Sequence, residues 1–311
     1  MLSRSSTFFK LFPPPALLDV PCTGLHISED AVRAVTLKRT GTTHMVTSYG
    51  ERKLPKGTVE AGVITNANVL AQEIKALREK LKFTKVRVSL PEERMYLFSI
   101  PTPSITDIAA RDVVESKLEE NIPIAPAEAV YEFDPSERKN NLITKISVSA
   151  FSEKLIQSYI ACCTLAGLEV RGFDTEPRAL IRALALSPAE ECIVVDISST
   201  STSMFIIERG IAQFSSTSAI GIEAEGSLEQ EIQKIISYWK TKNEKSDIKK
   251  IIILGSSANK PSLIQHLEAA LQMHVSLGNV WAGSLDKEKV PPIEFEQALD
   301  YGVAIGLALN Q

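Results

Sequence analysis

The sequence contains two stretches with the same order of predicted elements, and this internal repeat limits the possible folds more than any other feature. Residues 24–50 and residues 194–216 each read as a strand, a tight polar turn, a second strand, a charged hairpin with glycine and a third strand. Two copies predict two halves that are built alike. In each half the turn after the first strand brings backbone N–H groups together, which suits an anion such as phosphate. Asp196 ends the first strand of the second copy, where a carboxylate can hold a metal through water.

The rest of the sequence alternates short strand patterns with amphipathic helix patterns. The strand patterns are β-branched runs at Lys85–Leu90, residues 143–149, Cys192–Ile197 and residues 249–254. The helix patterns are apolar stripes at Leu70, Ile74, Leu77 and Leu81; at Ile156, Tyr159, Ile160 and Cys163; at Leu228, Ile232, Ile235 and Trp239; and at Leu263, Leu267 and Leu271. We expect Gly167 to cap the second helix and Pro261 to lie in the first turn of the fourth. Ser227 with Gln230 predicts a capping box ahead of the third helix. This alternation predicts an α/β protein.

Composition and charge exclude several classes of protein. The chain has 311 residues, 44% of them hydrophobic, which is enough for two globular domains. The net charge of -4 is spread over mixed acidic and basic residues, so no role in binding nucleic acid is expected. No apolar run approaches the roughly 20 residues that span a bilayer. We therefore expect at most peripheral contact with a membrane.

The cysteines and the N-terminal residues indicate the compartment. Cys22, Cys162, Cys163 and Cys192 form no CxxC pair and have no histidine at metal-ligand spacing, so we expect buried, reduced thiols in a cytoplasmic protein. Residues 1–20 carry a short aromatic run and three prolines, and their apolar core is too short for a signal peptide. We interpret them as a disordered tail, with docking to a membrane surface or to a partner as the alternatives.

Five segments in sequence order resemble the PilM family of actin-like type IV pilus assembly proteins and, more distantly, the division protein FtsA. Residues 24–35 align with the family's opening pattern GIDIGSSSVKAV, and residues 59–83 resemble its Gly-x-Ile segment and the helix after it. Residues 116–134 resemble the family's helix and valine–tyrosine strand. Residues 148–184 contain its D-x-E-P-x-A-L signature, and residues 300–309 resemble its closing helix.

The resemblance implies an α/β, actin-like fold, that is, a duplicated ribonuclease H-like fold with two lobes and an inserted subdomain of the FtsA/PilM type. It divides the chain into an N-terminal tail (1–20), a first lobe (21–90, completed by 175–190 and 298–311), the inserted subdomain (91–174) and a second lobe (191–297). Relatives carry a helical subdomain on one side of the cleft in the second lobe. The segment between Gly221 and Ser227 is too short for it, so we expect this subdomain to be missing.

The first phosphate turn departs from the family pattern. His26 stands in place of an aspartate, Ser28 replaces a glycine, and Glu29 and Asp30 follow. A carboxylate about 5 Å from a phosphate opposes it by roughly 3 kcal/mol at an effective dielectric near 20. Two such repulsions predict negligible nucleotide affinity. For His26 we expect a strand histidine with satisfied hydrogen bonds rather than a catalytic residue.

The other two phosphate-binding segments are also altered. Asp196 is kept, but Ser198 replaces a glycine, and its Cβ would obstruct close approach of a phosphate. Asp196 then either caps the turn through its own side chain or keeps a contact with a metal. In the third segment Gly255 remains and is followed by Ser256 and Ser257, which indicates an ordinary loop. The expected vestigial cofactor site consists of Asp196, Ser198, Ser199 and Gly255.

The resemblance also implies a function. We predict a non-catalytic cytoplasmic scaffold at the inner face of the cytoplasmic membrane, with no cofactor and no metal, which binds the short cytoplasmic tail of a PilN-like partner and is open to homo-oligomerisation. The tail would lie in a groove between the first subdomain and the inserted one. The candidate contact residues are Leu97, Phe98, Ile100, Tyr131 and Phe133. The same residues would be plain core if they only face inward along their strands.

Two other functions were weighed against the scaffold. The alternative is an actin-like switch in pilus assembly or cell division that binds or hydrolyses ATP, with magnesium on Asp196. It requires a working first turn, against which His26, Glu29 and Asp30 argue. A sugar or acid kinase requires a catalytic carboxylate and a lid, and we identify neither in the sequence.

Overall fold

The structure is a computed structural model that describes residues 22–41, 43–219, 225–243, 248–255, 259–284 and 292–309, without the side chains of residues 225–227. In chain order the strands are β1 (Thr23–Ile27), β2 (Ala31–Thr40), β3 (Thr43–Lys53), β4 (Val59–Glu60), β5 (Val63–Ile64), β6 (Lys85–Leu90), β7 (Tyr96–Ile105), β8 (Ala129–Lys139), β9 (Leu142–Ser152), β10 (Glu169–Thr175), β11 (Cys192–Ile197), β12 (Thr202–Glu208), β13 (Ile211–Ser218), β14 (Lys250–Leu254) and β15 (His274–Leu277). The α-helices are α1 (Ala67–Leu81), α2 (Ala110–Asn121), α3 (Glu153–Leu165), α4 (Glu176–Ala183), α5 (Glu225–Lys242), α6 (Pro261–Leu271), α7 (Phe295–Ala298) and α8 (Gly302–Leu309).

Two five-stranded sheets have the same topology. The first has the order β10-β6-β1-β2-β3 and the second the order β13-β12-β11-β14-β15. In both, three consecutive strands form antiparallel pairs, and the first of them also pairs in parallel with a later strand, which in turn pairs in parallel with the strand at the sheet edge. The repeat read from the sequence is therefore confirmed as two lobes that are built alike, and the two-lobed actin-like fold is confirmed with it.

Each sheet is covered by helices on both faces. On the outer face of the first sheet, α1 and α3 bury Leu70, Ile74 and Tyr159. The outer face of the second sheet buries Ile232 on α5 and Leu263 on α6. Helices α4 and α8 lie between the lobes and join one core with strands of both sheets. Burial on both faces explains why apolar residues occupy adjacent positions in β11, Cys192–Val195, instead of alternating with polar ones.

The two central helices approach each other closely at a glycine. A Cβ built on Gly306 of α8 would lie 1.8 Å from the carbonyl oxygen of Ala179 on α4, so only glycine fits this crossing. Arg182 joins the same helices, since its Nε donates to the Gly306 carbonyl at 2.9 Å and its Nη2 lies 2.6 Å from Asp174 Oδ2. Helix α4 begins after Thr175, whose hydroxyl oxygen accepts the N–H of Arg178. These contacts fix the position of α4, whose first residue lines the cleft described below.

A third sheet, of three strands in the order β7-β9-β8, forms a separate layer with α2. It packs against the second lobe through the hydroxyl of Ser147, which donates to the Ala212 carbonyl at 3.0 Å. It contacts α4 through an ion pair between Arg178 and Glu132. Strand β10 belongs to the first sheet and α3 packs on that sheet, so the boundary drawn at residue 174 does not coincide with the boundary between the sheets.

Several local predictions can be compared with the structure. Gly167 follows α3 with a φ of 75°, and Pro261 begins α6, as predicted. The predicted capping box is wrong, because α5 begins at Glu225 and Ser227 therefore lies inside the helix. The prediction that a helical lid is missing concerns the segment after β13, which ends at Ser218, and residues 220–224 of that segment lie outside the described residues. The predictions for residues 1–20, Ser256 and Ser257 also lie outside them.

All four cysteines are buried and none forms a disulfide, as expected. Burial raises the pKa of Cys162 and of Cys192 to about 11 and that of Cys163 to about 12. The thiols are therefore protonated at neutral pH, and they behave as small apolar side chains.

Candidate functional site

A cleft of about 530 Å³ separates the two lobes. The β1–β2 turn of the first lobe and the β11–β12 turn of the second face each other across it, and the start of α4 lies at its inner end. Its acidic lining residues are Glu29, Asp30, Glu51, Glu93, Glu176, Asp196 and Asp300, and its basic lining residues are Arg33, Lys53 and Lys56. Acidic side chains thus outnumber basic ones by seven to three among these lining residues.

The first turn is held by its own side chains. Ser28 Oγ donates to Asp30 Oδ1 at 2.7 Å, and Arg33 Nε lies 2.7 Å from Glu51 Oε2. Arg33 Nη2 also lies 3.5 Å from Asp30 Oδ2. Burial alone would raise the pKa of Asp30, but Arg33 and Ser28 lower it below its ordinary value. Glu29 turns away from this network, since its Oε1 accepts the backbone N–H of Ala61 at 2.6 Å.

In the second turn one serine side chain occupies the backbone donors. Ser198 Oγ accepts the N–H of Ser201 at 2.9 Å and the N–H of Thr200 at 3.2 Å. The Ser198 N–H in turn donates to the Ser201 carbonyl at 2.9 Å. Of the two alternatives for Asp196, a cap of the turn or a contact with a metal, the cap has no hydrogen bond from Asp196 within the described residues, and Ser198 makes these contacts instead. The N–H groups that would bind a phosphate here are engaged within the turn itself.

The buried His26 and the half-buried carboxyl groups of Glu176 and Asp196 come from separate segments and meet at the inner end of the cleft. His26 on β1 lies with its Nε2 3.5 Å from Oε1 of Glu176, the first residue of α4, and Asp196 at the end of β11 lines the same space. Burial and the charge of Arg33 lower the pKa of His26 to about 4, so its imidazole is neutral at pH 7. Burial raises the pKa of Asp196 to about 7 and that of Glu176 well above its usual range.

His26 differs from expectation in one respect. It lies on a strand as predicted, but its Nδ1 is buried and has no hydrogen-bond partner within the described part of the chain. The expectation of satisfied hydrogen bonds is therefore wrong for Nδ1. The packing of α4 against β1 places a carboxyl group, that of Glu176, near Nε2 alone.

The expected cofactor residues separate into two groups. Asp196, Ser198 and Ser199 line the cleft. Gly255 instead supports the turn from behind: its φ is +97°, and a Cβ there would lie 2.0 Å from the Ile197 carbonyl oxygen. Its conformation therefore explains why glycine remains at this position.

Several cleft residues were not identified from the sequence. Glu176 lies in the D-x-E-P segment and Asp300 opens the closing-helix segment, so a motif-based search had a signal for both. Arg33 lies in the opening pattern at residues 24–35 and had a signal of the same kind, whereas Glu51 and Glu93 lie outside the resembling segments and reach the cleft only in the folded chain.

A second groove, of about 520 Å³, lies where the first lobe, the third sheet and the second lobe meet. Its walls are Glu92, Met95 and Leu97 on one side and residues 214–217 of β13 on the other. Strand β13 is at the edge of the second sheet. The groove thus combines apolar side chains with serine and threonine hydroxyls along a strand edge.

The structure divides the predicted partner-contact residues. Leu97 lines the groove and packs on the core between the lobes. Phe98, Ile100, Tyr131 and Phe133 belong to the opposite face of the third sheet and pack with α2. Neighbouring residues of a strand point to opposite faces, which separates Leu97 from Phe98.

The described ranges contain neither a metal-binding cluster nor a membrane-spanning helix. The described histidine, cysteine and acidic residues form no group of three placed to hold a metal ion. No helix in the part of the chain that the structure describes is both long and apolar enough to cross a membrane.

Comparisons with known proteins agree with this architecture. A family model described as type IV pilus assembly protein PilM matches residues 24–224. A solved PilM–PilN type IV pilus biogenesis complex is similar with a TM-score of 0.80 and 20% identity, over 93% of this chain and 98% of that chain. The ethanolamine utilization protein EutJ from Carboxydothermus hydrogenoformans has a TM-score of 0.54 and 14% identity, over 96% and 91% of the two chains. The cytoplasmic domain of EpsL, from the type II secretion system of Vibrio cholerae, has a TM-score of 0.51 and 12% identity, over 91% and 94%. No curated protein sequence matches the chain.

Proposed function

Because the chain belongs to the type IV pilus assembly protein PilM family, we propose that it is a non-catalytic scaffold of the pilus assembly platform at the cytoplasmic face of the inner membrane. Its partner in this proposal is the short cytoplasmic tail of a PilN-like inner-membrane protein. The similar solved structure is a complex of PilM with PilN, which supports a partner of this kind.

The observation that carries the partner proposal is the groove of about 520 Å³ beside β13. An extended peptide gains backbone hydrogen bonds at a strand edge and seats alternate side chains in apolar pockets. Here β13 supplies the edge, and Met95, Leu97 and Phe214 supply apolar walls. The groove lies next to the start of β7, the first strand of the third sheet. This position supports the predicted binding site between the first lobe and the inserted subdomain. Phe98 and Tyr131 then act indirectly, by holding β7 and β8 in place on α2.

The non-catalytic part of the proposal is supported by the cleft. Ser198 Oγ accepts the N–H groups of the second turn, so these donors are unavailable to a phosphate. Asp30 and Asp196 add negative charge on both sides of the same space, where a nucleotide phosphate would be repelled. These residues do not fit a magnesium nucleotide, and no step is derived through one.

The partner proposal is tested by filling the groove. Ser216 lines it on β13, so Ser216→Trp places a large side chain where the peptide would lie. We expect fluorescence anisotropy with a labelled peptide of the PilN-like protein's N-terminal tail to show at least tenfold weaker binding than with the wild type. Val130→Trp is the matched control, since Val130 is an exposed residue on β8 that does not line the groove.

Two results would contradict this assignment. Equal binding by the wild type and a folded Ser216→Trp variant would remove the groove as the binding site. The absence of saturable binding of the tail to the wild type would remove the partner itself. Circular dichroism and a cooperative thermal transition establish that each variant is folded.

Calorimetry with magnesium-ATP tests the second part. We expect no saturable binding at micromolar nucleotide, because Ser198 Oγ engages the N–H groups of Thr200 and Ser201 in the second turn and acidic side chains line the cleft. A dissociation constant in the low micromolar range would instead favour the ATP-dependent switch, with Asp196 near magnesium.

A further inference from the structure

A groove of about 420 Å³ lies between the C-terminal part of α3 and β10, which is an edge strand of the first sheet. Its apolar walls are Ile160, Leu168, Val170 and Phe173. Leu168 is buried, whereas the other three are only partly buried against the core of the first lobe. Leu165, at which α3 ends, is 59% exposed. The described residues therefore leave apolar side chains uncovered along this edge of the sheet.

The described part of the chain begins close to this groove. Strands β1, β6 and β10 run parallel, and Thr23 on β1 is in register with Val86 on β6, which is in register with Val170 on β10. Adjacent strands are about 4.8 Å apart, so the start of β1 lies about 10 Å from the start of β10. Residues 1–21, which precede the described part, therefore join it at the end of the sheet where the groove begins.

The N-terminal residues contain an apolar run that can reach the groove. Residues 8–12 consist of three phenylalanines and a leucine, interrupted by Lys10. Residues 13–21 separate this run from the start of the described part, and they span up to about 30 Å when extended. The separation of about 10 Å between β1 and β10 is well within that length.

From this placement we propose that the groove between α3 and β10 binds the chain's own N-terminal segment, with apolar side chains of residues 8–12 seated against Ile160, Val170 and Phe173. This inference goes beyond the proposed scaffold function and does not rest on it. Each phenylalanine removes roughly 150–250 Å² from water when it is buried, which favours docking. A segment on a short tether has a millimolar effective concentration, so it occupies the groove ahead of a free partner at micromolar concentration.

Limited proteolysis of the full chain tests this contact. Trypsin can cleave after Lys10, within the docked run, and after Arg4, outside it. Thr164 is an exposed groove residue on α3, so Thr164→Trp should fill the groove and release the run. We expect cleavage after Lys10 to be at least tenfold faster in Thr164→Trp than in the wild type, with little change after Arg4. Lys154→Trp is the matched control, since Lys154 is exposed on the same helix and does not line the groove.

A disulfide between the N-terminal segment and the groove separates binding within one chain from binding between two copies. With Lys10→Cys and Thr164→Cys in the full chain, we expect oxidation to join the two positions within one chain. Adding Phe9→Ser and Leu11→Ser should slow this reaction about tenfold, because the tether is unchanged and the apolar contacts are lost. The four native cysteines are buried and do not compete.

Three results would overturn the proposal. The first is equal cleavage after Lys10 in the wild type and in a Thr164→Trp variant that circular dichroism shows to be folded. The second is disulfide formation only between two chains, which would assign the groove to a second copy. The third is an oxidation rate that Phe9→Ser and Leu11→Ser leave unchanged.

Discussion

The hydroxyl of Ser199 lies 3.4 Å from Oδ2 of Asp30, and this contact joins the two turns that face each other across the cleft. The two residues are in different lobes and belong to the corresponding turns of the repeat, β1–β2 and β11–β12. Asp30 is also paired with Arg33, while Ser199 is exposed next to the self-capped Ser198. The contact therefore links the two lobes through side chains that line the cleft.

Ser198→Ala should destabilise the second lobe. Ser198 Oγ accepts two backbone N–H groups, and their loss should lower the free energy of unfolding by about 1–2 kcal/mol. Ser199→Ala is the matched control, because it removes one long contact at an exposed position and should cost less than about 0.5 kcal/mol. Urea denaturation measures both, and equal effects would show that the cap is not the stabilising contact.

Gly306→Ala should destabilise the contact between the lobes. Helix propensity favours alanine by about 1 kcal/mol, but the new Cβ would lie 1.8 Å from the Ala179 carbonyl oxygen. The helices must separate, and we expect a loss of about 1–3 kcal/mol or more in urea denaturation. Gly172→Ala is the control, since its Cβ would come no closer than 3.9 Å to the nearest of its neighbours. A Gly306→Ala variant as stable as the wild type would contradict the close crossing.

Stability should fall as pH rises from about 6.5 to about 8. Burial raises the pKa of Glu92 to about 8 from 4.5 and that of Asp196 to about 7 from 3.8. A carboxyl whose pKa is raised on folding stabilises the fold fully below its unfolded pKa and loses this contribution as pH rises through the folded value. The free energy of unfolding should fall by up to about 1.4 kcal/mol per pH unit for each such carboxyl, as long as the pH lies between its unfolded and its folded pKa.

His26 does not oppose this trend within that window. Its pKa is lowered on folding from 6.5 to about 4, so its contribution is complete above 6.5 and is lost as pH falls toward 4. Glu92→Gln should reduce the slope of stability with pH above pH 7, where Glu176 with its raised pKa also contributes, and Asp196→Asn should reduce it below pH 7. Chemical denaturation at several pH values provides the measurement, and an unchanged slope in Glu92→Gln would contradict the assignment.

The native thiols should react very slowly with Ellman's reagent. All four cysteines are buried, and burial raises the pKa of Cys163 to about 12. We expect almost no fast reaction in the native state and four thiols per chain after denaturation in guanidinium. A fast thiol in the folded protein would place at least one cysteine at an accessible position.

The sequence by itself determined the elements and their duplication. The strand at Cys192–Ile197 and the helix that carries Leu70, Ile74 and Leu77 could be predicted from the spacing of their apolar residues. This spacing involves only residues that are a few positions apart in the sequence. Pro261 likewise acts through local backbone geometry. Predictions of this kind agree with the structure because their physical cause lies within one element. The start of α5 was missed, since a capping pattern at Ser227 competes with helix that extends back to Glu225.

Only the tertiary structure decided what the cleft contains. His26, Glu176 and Asp196 are far apart in the sequence and meet because α4 packs between two sheets. Their raised and lowered pKa values follow from that burial, which no local pattern records. The separation of Leu97 from Phe98 depends in the same way on which face of the third sheet meets the second lobe. Contacts between distant segments depend on how whole helices and strands pack against each other. The residues next to each position in the sequence do not determine that packing.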